Sequence, residues 1–160
     1  MINAFMIGAL LTSPPKVGDT APDFTVQDVD AKPIVLSELV KKGPVVVAFF
    51  PKAFTGGCTK QLKGYQAKLA DFEKANAQVI VISTDDLETQ KKFRDSLDAK
   101  YRFVADPEGK LVRLFDAKMP AINVAKRYAF VIGKDRKVLH VDEGGDAIEV
   151  SGALNACSAG

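Results

Sequence analysis

Val45-Val46-Val47-Ala48-Phe49-Phe50 contains no polar residue. A strand of that composition cannot face water on either side, so it must run through the middle of a sheet covered on both faces. The segment makes a layered α/β domain the starting expectation. Asp23 to Val29 and Pro33 to Leu36 bracket the turn residues Asp30-Ala31-Lys32 and read as an N-terminal hairpin. From Cys58 onward, Leu62, Tyr65, Leu69 and Phe72 recur at helical spacing while Lys60, Lys63, Lys68 and Asp71 fill the other side, giving a helix that packs on the sheet. Val79 to Ile82 is the next buried strand, and Ser83-Thr84-Asp85-Asp86 offers caps and first-turn acids for a helix through Leu97. Arg102 to Ala105, Arg127 to Ile132 and Val138 to Val141 read as further strands, with a turn at Gly133-Lys134-Asp135-Arg136 between the last two. Asp146 to Ala156 reads as a short closing helix.

Composition narrows the field by exclusion. The chain has 160 residues, 47% of them hydrophobic, enough to fill one core, and residues 16–160 are expected to form a single domain. A formal net charge of +2, with basic residues scattered along the chain, argues against a nucleic-acid surface. Two cysteines cannot build a disulfide scaffold, and the single histidine, His140, excludes the usual Cys/His zinc spacings and reads as structural. Glycine signatures for dinucleotides or phosphates and the Gly-x-Ser-x-Gly of hydrolases are missing, so no metal or cofactor is expected. Residues 1–15 stand apart. Ala4 to Leu11 is apolar but too short to span a bilayer, and no Lys or Arg precedes Lys16, which leaves a signal remnant and an apolar arm as two open readings.

The chemistry concentrates in Pro51-Lys52-Ala53-Phe54-Thr55-Gly56-Gly57-Cys58-Thr59-Lys60-Gln61. A buried strand breaks at a proline, crosses two glycines and delivers Cys58 into a helix start. First-turn N–H groups lack intrahelical partners and lie at the positive end of the helix dipole, so this position favours a thiolate. Thr55 precedes the cysteine closely enough for its hydroxyl to reach a group bound at sulfur, and it also suits a plain helix cap.

The pattern Pro51-x-x-x-Thr55-x-x-Cys58 resembles the peroxidatic site of the peroxiredoxins, the AhpC/TSA superfamily. The longer run through Lys60 is similar to the bacterioferritin-comigratory, or peroxiredoxin Q, branch. Val17-Gly18-Asp19-Thr20-Ala21-Pro22-Asp23-Phe24 resembles the family's opening, Val81-Ile82-Ser83-Thr84-Asp85 a strand end, and Ala105-Asp106-Pro107-Glu108-Gly109 a later turn. Arg127-Tyr128-Ala129-Phe130-Val131-Ile132 is similar to the strand bearing the family's active-site arginine. The resemblance implies a thioredoxin-like fold, a central mixed sheet flanked by helices, which the strand–helix order also suits.

It further implies a thiol peroxidase that converts Cys58 to a sulfenic acid on hydrogen peroxide or a small organic hydroperoxide. Thr55 and the N–H groups of Gly57 and Cys58 would orient the oxygens, Arg127 would add a planar cation, Pro51 would shield the sulfur and Gln61 would hold the arginine. Electrons would come from thioredoxin, glutaredoxin or a low-molecular-weight thiol, in a bacterial cytoplasm or, given a signal remnant, the periplasm; a homodimer is also expected. Two departures stand out. Gly56 replaces a proline of close relatives, and Lys63 stands where many carry a resolving cysteine. The remaining thiol, Cys157, sits near the C-terminus on what reads as a frayable tail, leaving resolution by Cys157 and direct reduction by an external thiol both open. A disulfide reductase of the same fold is disfavoured because Gln61 stands where a Cys-x-x-Cys needs its second cysteine. A non-enzymatic binding or chaperone module with a vestigial cysteine is the remaining alternative.

Overall fold

The computed structural model describes residues 13–159. The apolar run Ala4–Leu11 lies outside them. Strands β1 (Thr25–Gln27) and β2 (Pro33–Val35) pair as an antiparallel hairpin around the turn at 30–32. Helix α1 (Leu36–Leu39) leads to β3 (Val45–Phe49), all five of whose residues are buried. Next come α2 (Gly56–Ala67), α3 (Leu69–Lys74), β4 (Gln78–Ser83), α4 (Leu87–Ser96), β5 (Arg102–Ala105) and α5 (Lys110–Leu114). The chain closes with β6 (Tyr128–Ile132), β7 (Val138–Glu143) and α6 (Ser151–Ala159).

The main sheet has the order β5-β4-β3-β6-β7. Strand β3 runs parallel to β4 and antiparallel to β6, so the apolar strand is central, as its composition requires. Its alternation splits the core. Val45, Val47 and Phe49 face a cluster with Phe24, Leu111, Phe115 and Phe130, while Val46, Ala48 and Phe50 face Leu62, Tyr65, Phe72, Phe93 and Cys157. Trimming Phe49 to alanine would cost about 3–5 kcal/mol through lost burial and a residual cavity. The hairpin is tied to the edge strand β5 by Arg102 Nε to Asp28 Oδ2 at 3.0 Å and to α4 by Arg94 Nη1 to Asp30 at 2.8 Å.

Two expectations need correction, and one short helix carries no sequence signal. The helix from Cys58 to Phe72 is two helices, because Lys68 adopts φ −105°, ψ 9° and interrupts the helical backbone between α2 and α3. The Asp106–Gly109 turn opens α5, which is too short to show periodicity; Gly109 at φ 70° precedes it, and Asp106 accepts the Leu111 and Val112 N–H groups at 3.0 Å each. The closing helix begins at Ser151, since 144–147 form a single 3₁₀ turn, and it continues through Cys157 to Ala159.

Candidate active site

Register brings the site together. Phe49 at the end of β3 pairs with Tyr128 at the start of β6, so Arg127, just before β6, lies beside the loop that leaves β3. On the other flank Phe49 pairs with Ile82, which puts the residues after β4 at the same end of the sheet. Asp85 uses that position. Its Oδ2 accepts the Ala53 N–H at 2.8 Å and the Ser83 hydroxyl at 2.6 Å, fixing the loop ahead of the cysteine. Neighbouring Asp86 supplies the α4 cap, accepting the Thr89 N–H at 2.8 Å, so the two acids divide roles that the sequence alone assigned together. Phe54, left-handed at φ 65° and 55% exposed, lies with its ring centroid 5.0 Å from that of Phe93. Neither Asp85 in its loop-fixing role nor Phe54 carries a sequence signal.

Cys58 is fully buried in the first turn of α2. The first helical bond there runs from Thr59 N–H to Thr55 O at 2.9 Å, leaving the Gly56, Gly57 and Cys58 N–H groups ahead of the ladder. Arg127 Nη1 donates to Cys58 Sγ at 3.4 Å and to the buried Gln61 Oε1 at 2.8 Å. A Cβ added at Gly57 would lie 2.9 Å from Arg127 Nη2, so a glycine is what lets the guanidinium lie across the helix start. Cys58, Gly57, Gln61 and Arg127 are thus contiguous.

Thr55 occupies the N-cap position of α2, yet its side chain caps nothing. The hydroxyl donates to Lys52 O at 2.7 Å. With its proton committed, Oγ1 offers lone pairs as an acceptor, the reverse of a charge-stabilising donor. Pro51, half-buried, forms the bend directly after the strand.

Cys157 corrects another expectation. It is 2% exposed within α6, in the same core cluster as Cys58, and is no part of a frayed tail. Burial pushes its thiol up to about 12. Both cysteines are free. His140 Nε2 lies 3.0 Å from Asp142 Oδ1, beneath Gly152 of α6 and away from the sulfur's contacts. Among the described residues no group of three or more His, Cys, Asp or Glu comes together around a metal site, and no helix is long and apolar enough to cross a membrane.

A helix-start cysteine facing an arginine on this α/β framework defines a thiol-dependent oxidoreductase. Residues 17–141 match the AhpC/TSA family model. A Mycobacterium tuberculosis protein classed with the peroxiredoxins is 37% identical over 129 residues, covering 79% of this chain and 84% of that protein. The crystal structure of the peroxidoxin BcpB from Mycobacterium tuberculosis superposes with a TM-score of 0.84 at 34% identity, covering 91% of this chain and 97% of that one. A peroxiredoxin Q from Xanthomonas campestris shares the fold, with a TM-score of 0.77 at 22% identity over 85% of this chain and 90% of its own. The chain belongs to the AhpC/TSA family, as a peroxiredoxin of the bacterioferritin-comigratory, peroxiredoxin Q-like kind with a thioredoxin-like fold, and it is a thiol-dependent peroxidase.

Proposed function

We propose that Cys58 is the peroxidatic cysteine and that Thr55, Arg127 and the first-turn N–H groups of α2 align the peroxide on it. The observation that carries this reading is the 3.4 Å contact of Arg127 Nη1 with Cys58 Sγ at an open helix start. The thiolate attacks one peroxide oxygen; the S–O bond forms as the O–O bond breaks, and the sulfur becomes a sulfenic acid while the other oxygen leaves as hydroxide or alkoxide and takes up a proton. Thr55 Oγ1 accepts a hydrogen bond from the peroxide O–H, and Arg127 with the Gly57 and Cys58 N–H groups offsets charge on the two oxygens. Pro51 keeps water from the sulfur by closing the loop over it. Because Cys58 is buried and Thr55 exposed, the substrate passes the hydroxyl first, which suits hydrogen peroxide and small hydroperoxides.

The reductant we propose is an external thiol of the thioredoxin, glutaredoxin or low-molecular-weight class. It condenses with the sulfenic acid, releasing water, and a second thiol then frees Cys58. Resolution by Cys157 is the second reading, favoured only by Cys157 being the other thiol; it needs α6 to undock, since Cys157 is buried and held protonated. Two free cysteines suit a reducing compartment, and the bacterial cytoplasm is the proposed location. Peroxide consumption by purified protein tests the central reading. Wild type should turn over and Cys58→Ser should not; equal activity in the two removes Cys58 from the chemistry.

A further inference from the structure

The peptide unit between Lys52 and Ala53 is gripped at both ends. Its N–H, that of Ala53, donates to Asp85 Oδ2 at 2.8 Å, and its carbonyl, that of Lys52, accepts the Thr55 hydroxyl at 2.7 Å. A planar trans peptide points these two groups in opposite directions, so whatever fixes the N–H also fixes where the carbonyl stands. Turning the unit over would break both bonds at once.

Asp85 does not keep its position alone. Its Oδ2 also accepts the hydroxyl of Ser83, the last residue of β4, at 2.6 Å, and Ser83 Oγ accepts in turn the Asp85 N–H at 3.2 Å and Nε2 of Gln90 on α4 at 2.9 Å. A serine hydroxyl has one proton and two lone pairs, and all three are thereby used. Gln90 Nε2 donates its other proton to Val104 O on β5 at 3.0 Å. Ser83 and Gln90 are fully buried, and Gln90 Oε1 has no hydrogen-bond partner among the described residues. An unpaired buried carbonyl is unfavourable, and an apolar side chain of similar volume would avoid it. Turning the amide would set its oxygen against Val104 O and against a hydroxyl whose proton is already given to Asp85. Gln90 is therefore explained by its two donors. One of them heads a continuous hydrogen-bonded path through Ser83, Asp85 and the Lys52–Ala53 peptide to Thr55.

We propose that Gln90 and Ser83 are positioning residues for the peroxide. Acting through Asp85, they hold the Lys52–Ala53 peptide so that its carbonyl takes the Thr55 proton and leaves Oγ1 to accept from the peroxide O–H. The inference rests on the reading of Thr55 as the acceptor for peroxide. Without the path the loop has reason to move, because Phe54, between Ala53 and Thr55, is held left-handed at φ 65°, a strained conformation for an aromatic residue. Its relaxation would redirect the Thr55 hydroxyl. Phe93, one turn beyond Gln90 on α4, lies with its ring centroid 5.0 Å from that of Phe54, so the same helix steadies the loop from outside the path.

The test is stopped-flow oxidation of Cys58 by hydrogen peroxide in Ser83→Ala and Gln90→Met, each made in wild type and in Thr55→Val, beside alkylation of Cys58 by iodoacetamide at one pH. Either substitution alone should slow oxidation by about fivefold, the scale of one hydrogen bond. Alkylation should stay unchanged, since it needs the thiolate and no acceptor at Thr55. In Thr55→Val, which has no hydroxyl left to orient, neither substitution should slow oxidation further, whereas a merely structural role would give losses that add. Two variants keep the test open should one fail to fold. Oxidation at the wild-type rate in either single variant, or the same slowing with and without the Thr55 hydroxyl, overturns the proposal and leaves the Thr55 reading standing. A Thr55→Val protein as fast as wild type overturns both.

Discussion

Arg127 Nη1 reaches Cys58 Sγ at 3.4 Å across 69 residues of chain, because β6 starts where β3 ends. Charge and geometry both enter that contact, and they separate by substitution. Arg127→Lys keeps the cation but loses the planar guanidinium, whose Nη1 meets both Gln61 and the sulfur while Nη2 lies over Gly57, so peroxide oxidation of Cys58 should slow at least about tenfold, in line with the roughly 1.5–3 kcal/mol of a charged hydrogen bond. Arg136 is the control. It donates to Ala21 O at 2.8 Å, at the edge of the fold, and Arg136→Lys should leave the rate unchanged. Equal behaviour of the two variants in stopped-flow oxidation would mean the wrong arginine is assigned.

Thr55→Val removes an acceptor while nearly preserving shape. The oxidation rate should drop by about tenfold or more, with the melting temperature little changed, since the hydroxyl caps no helix N–H. Thr55→Ser should retain most of the rate. A valine variant as fast as wild type would leave Thr55 without a part in peroxide binding.

Asp85→Ala strips partners from the Ala53 N–H and the Ser83 hydroxyl and should lower stability by about 1–3 kcal/mol in denaturant titration. Oxidation of Cys58 should slow as well, because the loop from Pro51 to Thr55 loses its anchor. Asp85→Asn keeps an acceptor and should fall between. If the alanine variant keeps full stability, the loop is held by something else.

Cys157 gives a dependence on pH. Burial raises its thiol to about 12 in the folded protein, against about 8.5 for a free thiol. The unfolded chain therefore loses this proton first, and the stability the group contributes is fully present below about pH 8.5 and declines as pH rises toward 12. Cys157→Ala should flatten that part of the profile in denaturant titrations at stepped pH. Identical slopes would place the alkaline loss on other groups.

Intact mass after one equivalent of peroxide distinguishes the two routes of reduction. A buried Cys157 predicts that wild type gains one oxygen, then two as peroxide rises, with Cys157 still alkylatable after unfolding. Loss of two hydrogens, abolished by Cys157→Ala, would show instead that α6 opens and Cys157 condenses with the sulfenic acid.

The central strand was legible because Val45–Phe50 admits no wet face, and Cys58 because Pro51 and two glycines announce a helix start. Arg127 was legible only through resemblance: nothing local separates it from Lys126 or Arg136, and the pairing of Phe49 with Tyr128 that selects it is long-range. Asp85 looked like a cap because Asp86 beside it is one, and hydrogen bonds to a loop 32 residues earlier leave no periodic trace. Cys157 looked like tail because α6 buries small residues, Ala153 and Cys157, where a docked helix would ordinarily announce itself with leucines and aromatics.

Gly57 contributes no side chain, and the guanidinium lies 2.9 Å from where a Cβ there would stand. In a saturation mutagenesis screen for peroxide resistance, position 57 should therefore score with Cys58 and Arg127 rather than with the permissive surface of α2. Substitutions there should yield folded, thiol-bearing protein that is slow with peroxide, and they should be suppressed only by changes that let Arg127 reach the sulfur from another direction.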